Sequence, residues 1–349
     1  MKRGNVSGNV YVRSVRRRLE EKGNQIQENG GEFVQGAVSG EDCAFFAPSG
    51  SLSERGVILA QGAEYDGEEA FLAALAVHSA VNRAAAARAE RPGRPGEDGR
   101  FSCVASLRLL LPADAQESRL RALTEAAKEA AGQAGVMIGD VKASVTAAVN
   151  VPVAAAQAAA GCGPCPEAAC GTPGPGWQIV MTKWAALEGT VCLAGRYRER
   201  LEKRYPARML EEAAGFAQLL SVVPEAAAAG KSGAVLACAA GEGGVFAALW
   251  TLAQRAGTGL EVSLKKIPIR QETVEICNLL DVNPYELAGN GSLLLAAERG
   301  EELAERLVRE GIPAAVIGHL TGDNDRVIIN GEERRFLEPA REDALYAVR

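Results

Sequence analysis

The sequence predicts an α/β protein of two domains, on three observations. Its 349 residues exceed the roughly 250–300 at which one hydrophobic core stops growing. Short apolar runs alternate with longer alanine-rich stretches of helical spacing in both halves, the strand-then-helix rhythm of α/β folds. Between the halves, Gly161 to Gly176 (GCGPCPEAACGTPGPG) holds five glycines and four prolines without apolar periodicity, so it continues no element. The expected organisation is an N-terminal domain over 1–160, a linker over 161–176 and a C-terminal domain over 177–349.

Composition narrows the function classes. A hydrophobic fraction of 47% with only 5% aromatics suits close-packed helices and small-residue strands rather than a disordered chain. The net charge of −6 gives no global field favouring nucleic acid or an anionic membrane, and neither is expected as a partner. Arg16-Arg17-Arg18 reads as a solvated helix face. No run of about 18 apolar residues occurs, and MKRGNVSGNVYVRSVRRRLEE lacks the apolar core of a signal peptide, so the expected location is cytoplasmic.

In chain order, Arg13 to Lys22 reads as an exposed helix and Asn24 to Gly40 as loop. Cys43 to Ala47 and Gly56 to Gln61 are short strands, and Gly67 to Arg88 is an alanine-rich helix that ends before Pro92. After the polar loop AERPGRPGEDGR (89–100), Phe101 to Leu111 alternates as a strand, Ala115 to Ala134 forms a helix, and Val136 to Ile138 and Val145 to Ala159 are strands. Beyond the linker come a strand at Trp177 to Lys183, helices at Arg196 to Arg204 and Ala207 to Leu220 split by Pro206, and a strand at Ala234 to Ala239. A helix to Arg255, a strand at Glu261 to Leu264, a helix after Ile269, a strand at Gly291 to Ala297, a helix at Glu301 to Glu310 and strands at Ala314 to His319 and Arg326 to Ile329 complete the order.

The most informative stretch is SGAVLACAAGEGGVFAALW (Ser232 to Trp250), a small-residue strand that turns through Gly241, Gly243 and Gly244 directly into a helix. Glycines there allow a tight turn and close approach of a ligand, and the free N–H groups of a helix starting near Val245 would face an anion. The same residues also read as a tight strand-to-helix turn without a ligand.

Further segments carry a resemblance: TKWAALEGT (Thr182 to Thr190), EGGVFAALW (Glu242 to Trp250), KIPIRQETVEICNLLDVNPYEL (Lys266 to Leu287), GNGSLLLA (Gly289 to Ala296) and GIPAAVIGHLT (Gly311 to Thr321). With GEDCA (Gly40 to Ala44), LAVHSAVN (Leu75 to Asn82) and VTAAVN (Val145 to Asn150), the chain resembles the aminoimidazole ribonucleotide synthase-like (PurM-like) superfamily. Within it, the chain is similar to HypE-type hydrogenase maturation factors and AIR synthase-related proteins. The resemblance implies a two-domain α+β fold whose N-terminal domain pairs strands with a second copy to form a dimeric sheet or barrel, and whose C-terminal domain is an α/β sandwich. It also implies ATP with magnesium, held by carboxylates from separate N-domain segments. In the HypE branch the implied chemistry is ATP-dependent dehydration of a thiocarboxamide to a thiocyanate, in concert with other maturation proteins.

Carried over residue by residue, the pattern thins. Asp42, with Glu41 beside it, stands at the first acidic position. Ala63 falls where the next aspartate is expected, and the following Asn-Asp pair becomes Asn82 and Arg83. Asp140 substitutes for a further acidic position only with a register shift, with Lys142 close by. Before the glycine turn a His-Asp pair becomes Cys238 and Ala239, leaving Glu242, Gly243 and Gly244. The terminus, FLEPAREDALYAVR, carries no cysteine. The candidate nucleotide set is therefore Asp42, Asn82, Asp140, Glu242, Gly243 and Gly244, and losing several carboxylates removes the counter-charge that catalysis needs. The expectation is a binding or regulatory dimer with an eroded magnesium–ATP site. Its rival is an active ATP-dependent enzyme with a rearranged metal set.

Cys162, Cys165 and Cys170 form C-x2-C-x4-C, a candidate zinc or iron–sulfur set lacking a fourth ligand unless Cys192 or Cys103 supplies it; the plainer reading is a cysteine-bearing loop. His78 reads as a packed helix residue and His319 as surface. Trp177, Trp184 and Trp250 read as packing. Lys265, Lys266 and Arg270 read either as a solvated strand end or as contributors to anion binding.

Overall fold

The computed structural model describes residues 31–35, 43–48, 56–90, 101–162, 173–231, 236–339 and 342–348. The chain divides into two compact units, Met1–Glu167 and Ala168–Arg349.

The first unit is one sheet with helices on it. Strands β1 (Gly31–Gln35), β2 (Cys43–Pro48), β3 (Gly56–Gln61), β5 (Cys103–Leu111), β6 (Met137–Val145) and β7 (Val153–Cys162) lie in the order β1-β2-β3-β7-β5-β6, and the short β4 (Tyr65–Asp66) also pairs with β7. All pairs are antiparallel except β5 with β6. Helices α1 (Leu72–Ala89) and α2 (Glu117–Gln133) follow β4 and β5. Alternate residues of β5 are buried, as a half-covered strand requires. Helix α1 is buried on almost every side, which its nine alanines permit because a methyl group lets backbones approach closely.

The second unit is a seven-stranded sheet in the order β14-β13-β10-β12-β8-β11-β9, built from β8 (Gln178–Thr182), β9 (Leu236–Ala239), β10 (Gly259–Ser263), β11 (Leu293–Ala297), β12 (Ala314–Thr321), β13 (Arg326–Asn330) and β14 (Glu333–Phe336). Its helices are α3 (Leu187–Arg196), α4 (Arg198–Glu202), α5 (Ala207–Gly215), α6 (Val223–Gly230), α7 (Gly244–Ala256), α8 (Gln271–Leu280) and α9 (Gly300–Arg309). Two cores result. Helix α7 packs Val245, Leu249 and Leu252 against Ile179, Leu294 and Ile317 of the sheet. Leu193, Leu201, Leu210 and Ile276 form the second core, which also takes Leu345 from the C-terminal segment.

The α/β class holds, with several element readings corrected. The loop expected over 24–40 contains β1. Strand β6 runs on through Gly139 and Asp140 to Val145, because parallel pairing to β5 supplies the hydrogen bonds that local propensity does not. Strand β7 starts only after Pro152 and continues to Cys162, so the linker stretch begins inside a strand. Helix α1 begins at Leu72 rather than Gly67, whose φ is 151°. Helices α3 and α6 and strands β4 and β14 are additions to the expected order. The N-terminal helix at 13–22 and the loop at 91–100 lie outside the described residues. Among the described residues, no helix is long and apolar enough to cross a membrane.

Candidate functional site

Strands β8, β9, β10 and β13 of the second unit all point the same way, since β8 and β9 flank β11 antiparallel, β8 and β10 flank β12 antiparallel, and β13 runs parallel to β10. Their carboxyl ends therefore gather along one edge, and the motif segments meet there. Thr182 at the end of β8 accepts from Leu293 N at 3.0 Å. Glu188 in the first turn of α3 accepts from Asn290 through both its backbone N (3.2 Å) and its side-chain Nδ2 (2.8 Å). Glu188, Asn290 and Thr182 are all buried, so this polar network ties TKWAALEGT to GNGSLLLA where an unpaired group would be costly.

The glycine turn is held just as firmly. Gly243 and Gly244 have φ of 75° and 66°, values that favour glycine. A Cβ on Gly244 would sit 2.6 Å from the Leu287 carbonyl oxygen and 2.7 Å from that of Tyr285. Phe246 N donates to the Tyr285 oxygen at 3.0 Å, and the two rings stack with centroids 5.4 Å apart. Gly243 N donates to Asp343 Oδ2 at 2.6 Å, while Asp343 Oδ1 accepts from Ala288 N (3.2 Å) and Leu345 N (2.8 Å). Asp343 is 2% exposed. Burial pushes its carboxyl up to about 6, backbone bonds from Leu345, Gly243 and Ala288 pull it down, and the charge of half-buried Glu242 pushes it up again. The anion facing the start of α7 is thus an internal carboxylate.

A second buried charge sits beside the turn after β8. Lys183 Nζ donates to the carbonyls of Leu219 (2.8 Å) and Ser221 (2.6 Å) and pairs with Glu225 Oε1 at 2.7 Å. Burial lowers the Lys183 pKa, and the charge of Glu225 and its hydrogen bond raise it. Lys183 and Ala186 both adopt left-handed backbone, φ 53° and 57°, so the loop carrying Trp184 stores strain that its surroundings must offset.

In the first unit, the segment at Ala63 is fastened to α1: Ala63 N donates to Ser79 Oγ at 2.9 Å, and Arg83 Nη1 donates to the Gln61 carbonyl at 2.5 Å. Asn82 is fully buried one residue earlier on that helix. Asp140 is exposed on β6. It pairs with Ser106, which pairs with Gln157, which pairs with Gln61. Three strand steps of about 4.8 Å put Asp140 some ~14 Å from Gln61, too far to share an ion with the Ala63–Arg83 group in one copy. Asp42, Cys165 and Cys170 lie outside the described residues. Cys162 is buried at the end of β7, and burial pushes the Cys103 thiol up to about 12. Among the described residues no group of three or more His, Cys, Asp or Glu is placed to hold a metal.

Sequence reasoning missed Asp343, Glu188, Asn290, Lys183 and Glu225 as a set. The signals were partly there: Glu188 and Asn290 lie inside the quoted motifs, and Asp343 opens the Ala344–Tyr346 turn as a capping aspartate does.

The pattern of the AIR synthase related protein C-terminal domain matches residues 174–330, the stretch holding this strand-end network. That C-terminal stretch is what the chain shares with AIR synthase related proteins. Carbamoyl dehydratase HypE of Rhodobacter capsulatus is 36% identical to this chain over 86 residues, 24% of this chain and 25% of that protein. The chain thus spans about a quarter of the length of the curated relatives it matches. The fold is similar over most of the chain to that of E. coli HypE, a hydrogenase maturation protein, which superposes with a TM-score of 0.65 at 18% identity, covering 82% of this chain and 86% of its own. A HypE–HypF complex gives 0.62 at 17%, covering 92% and 99%. HypE in complex with ATP gives 0.61 at 19%, covering 83% and 86%.

Proposed function

We propose that this chain is a HypE-like protein that works as a binding or regulatory dimer, with its magnesium–ATP site weakened. One observation carries the reading: the Gly243 N–H, on the turn that would meet a phosphate, already donates to the buried carboxylate of Asp343. A triphosphate arriving there meets a negative charge and no free Gly243 donor, so the turn does not fit it as it stands. Ala63 and Arg83 add support, because Arg83 brings positive charge and a bond to Gln61 where the resemblance calls for a metal-facing carboxylate.

The test is titration calorimetry with ATP, with and without magnesium, on the full chain. The expected result is binding weaker than about 100 μM with little dependence on magnesium and no phosphate release. Micromolar, magnesium-dependent binding with turnover would instead favour the enzyme reading with a rearranged metal set, and Asp42→Ala should then abolish turnover.

The dimer reading is supported by the edge that β6 forms in the first sheet among the described residues. Among the described residues strand β6 pairs on one side only, with Met137 70% and Val145 65% exposed; a nine-residue edge strand with apolar ends is a template for a further strand. A second copy is the natural occupant, and other maturation proteins are the natural further partners, as HypF is for HypE in their complex. Light scattering should give twice the 36.5 kDa chain mass, and the double substitution Met137→Lys, Val145→Lys should return the monomer mass with the helical circular dichroism unchanged. A wild-type monomer at tens of micromolar would refute the pairing.

A further inference from the structure

Three cations lie along the strand-end edge of the second unit. Segment 264–270 leaves β10 and crosses the start of β12 toward β8: Pro268 O accepts from Ala185 N at 2.9 Å, and the Lys183 amide donates to Pro313 O at 2.8 Å. Lys265 and Lys266 are exposed on this crossing and have no ion-pair partner among the described residues. Lys265 Nζ reaches over the β13–β14 turn, 3.7 Å from where a Gly331 Cβ would stand.

Arg270, at the far end, is held differently. Its guanidinium lies 5.0 Å over the Trp184 ring and 5.6 Å over the Phe216 ring. Its one ion pair among the described residues runs from Nε to Glu272 Oε2 at 3.4 Å, and the side chain is 40% exposed. Among the described residues the two terminal nitrogens make no hydrogen bond. Two aromatic rings therefore fix the plane of a half-exposed fork whose outer donors are unused, the arrangement suited to bidentate binding of an oxyanion. Trp184 lies in the loop between left-handed Lys183 and Ala186, and stacking on its ring leaves Arg270 less side-chain entropy to lose on binding.

We propose that Lys265, Lys266, Arg270 and Trp184 form a docking rim for an acidic, extended segment of a partner polypeptide. Charge argues for the class: three under-compensated cations on a chain of net charge −6 steer an acidic partner to this edge. Shape argues against a small anion. From β10 to β8 is two strand steps, about 10 Å, longer than one phosphate and open rather than enclosed, whereas same-side carboxylates of an extended chain recur every ~6.8 Å and span it in two. Trp184 and Arg270 are also the residue types that dominate interface energetics.

The experiment is fluorescence anisotropy of fluorescein-labelled hexaglutamate with the full chain at 50 mM salt. The expected result is saturable binding that weakens at least tenfold in Arg270→Ala and in the exposed double variant Lys265→Glu, Lys266→Glu. About threefold weakening is expected in Arg270→Lys, which keeps the charge and loses the fork. Lys203→Glu, exposed elsewhere on the unit, should leave binding unchanged, and the double lysine variant keeps the test decisive if Arg270→Ala disturbs the ring stack. No binding by wild type, equal binding by the double variant, or binding of tripolyphosphate without hexaglutamate would each overturn the proposal.

Discussion

Replacing Asp343 by alanine is expected to destabilise the second unit by about 3 kcal/mol at pH 5, read as a lowered urea midpoint. The substitution strips acceptors from three backbone donors, Gly243, Ala288 and Leu345, and each buried orphan N–H costs about 1 kcal/mol or more. The pH dependence follows from the folded pKa of about 6 against the ordinary aspartate value of 3.8. Because the folded value is raised, the protonated form is the one the fold favours. The stabilisation is complete below about pH 3.8 and is lost as pH rises through about 6. That difference corresponds to about 3 kcal/mol. The wild-type protein should therefore lose stability between pH 4 and 7, and the gap to Asp343→Ala should narrow at pH 8. Asp343→Asn, unable to titrate, should flatten the profile. Superimposable curves for wild type and Asp343→Ala at both pH values would refute the assigned role. ATP binding by the variant bears on function separately: tighter binding would mark Asp343 as an internal competitor for the turn.

That contact shows why part of the site was not legible in the sequence. Asp343 and Gly243 are 100 residues apart, and no local pattern connects a terminal aspartate to a glycine turn. The turn itself was legible, because glycines between a small-residue strand and an apolar helix state their backbone geometry directly. What filled it was decided by tertiary folding. Elements followed the same division. Strand β3 and helix α7 announce themselves through apolar runs and glycine punctuation. Helix α3 does not: it begins after left-handed Ala186 without a capping side chain and contains Gly189 and Gly195, so both its start signal and its propensity are weak. Strand β6 was cut short because Gly139 and Asp140 are poor strand formers; β5 holds them in place.

Glu225→Ala should have the larger effect on stability. The Lys183–Glu225 pair is almost wholly buried, with side-chain exposures of 7% and 5%, and removing one partner from such a pair costs about 3–5 kcal/mol because the other charge is left in the interior. Lys183 keeps two carbonyl acceptors, which places the expected loss near the lower end, about 3–4 kcal/mol. The consequence reaches the proposed rim. Lys183 adopts φ 53° one residue before Trp184, and its ammonium anchors that loop to the 219–225 segment. Releasing the anchor lets the strained backbone relax and moves Trp184 from the face of Arg270. Glu225→Ala should therefore shift the tryptophan emission and weaken hexaglutamate binding, although Glu225 is itself buried and cannot touch a partner. The double variant Lys183→Met, Glu225→Leu separates the effects: it removes both charges, so it should recover most of the stability without the tether that holds Trp184. Full recovery of peptide binding in that variant would show that packing alone positions Trp184, and equal stability of Glu225→Ala and wild type would show that the ion pair contributes nothing to the fold.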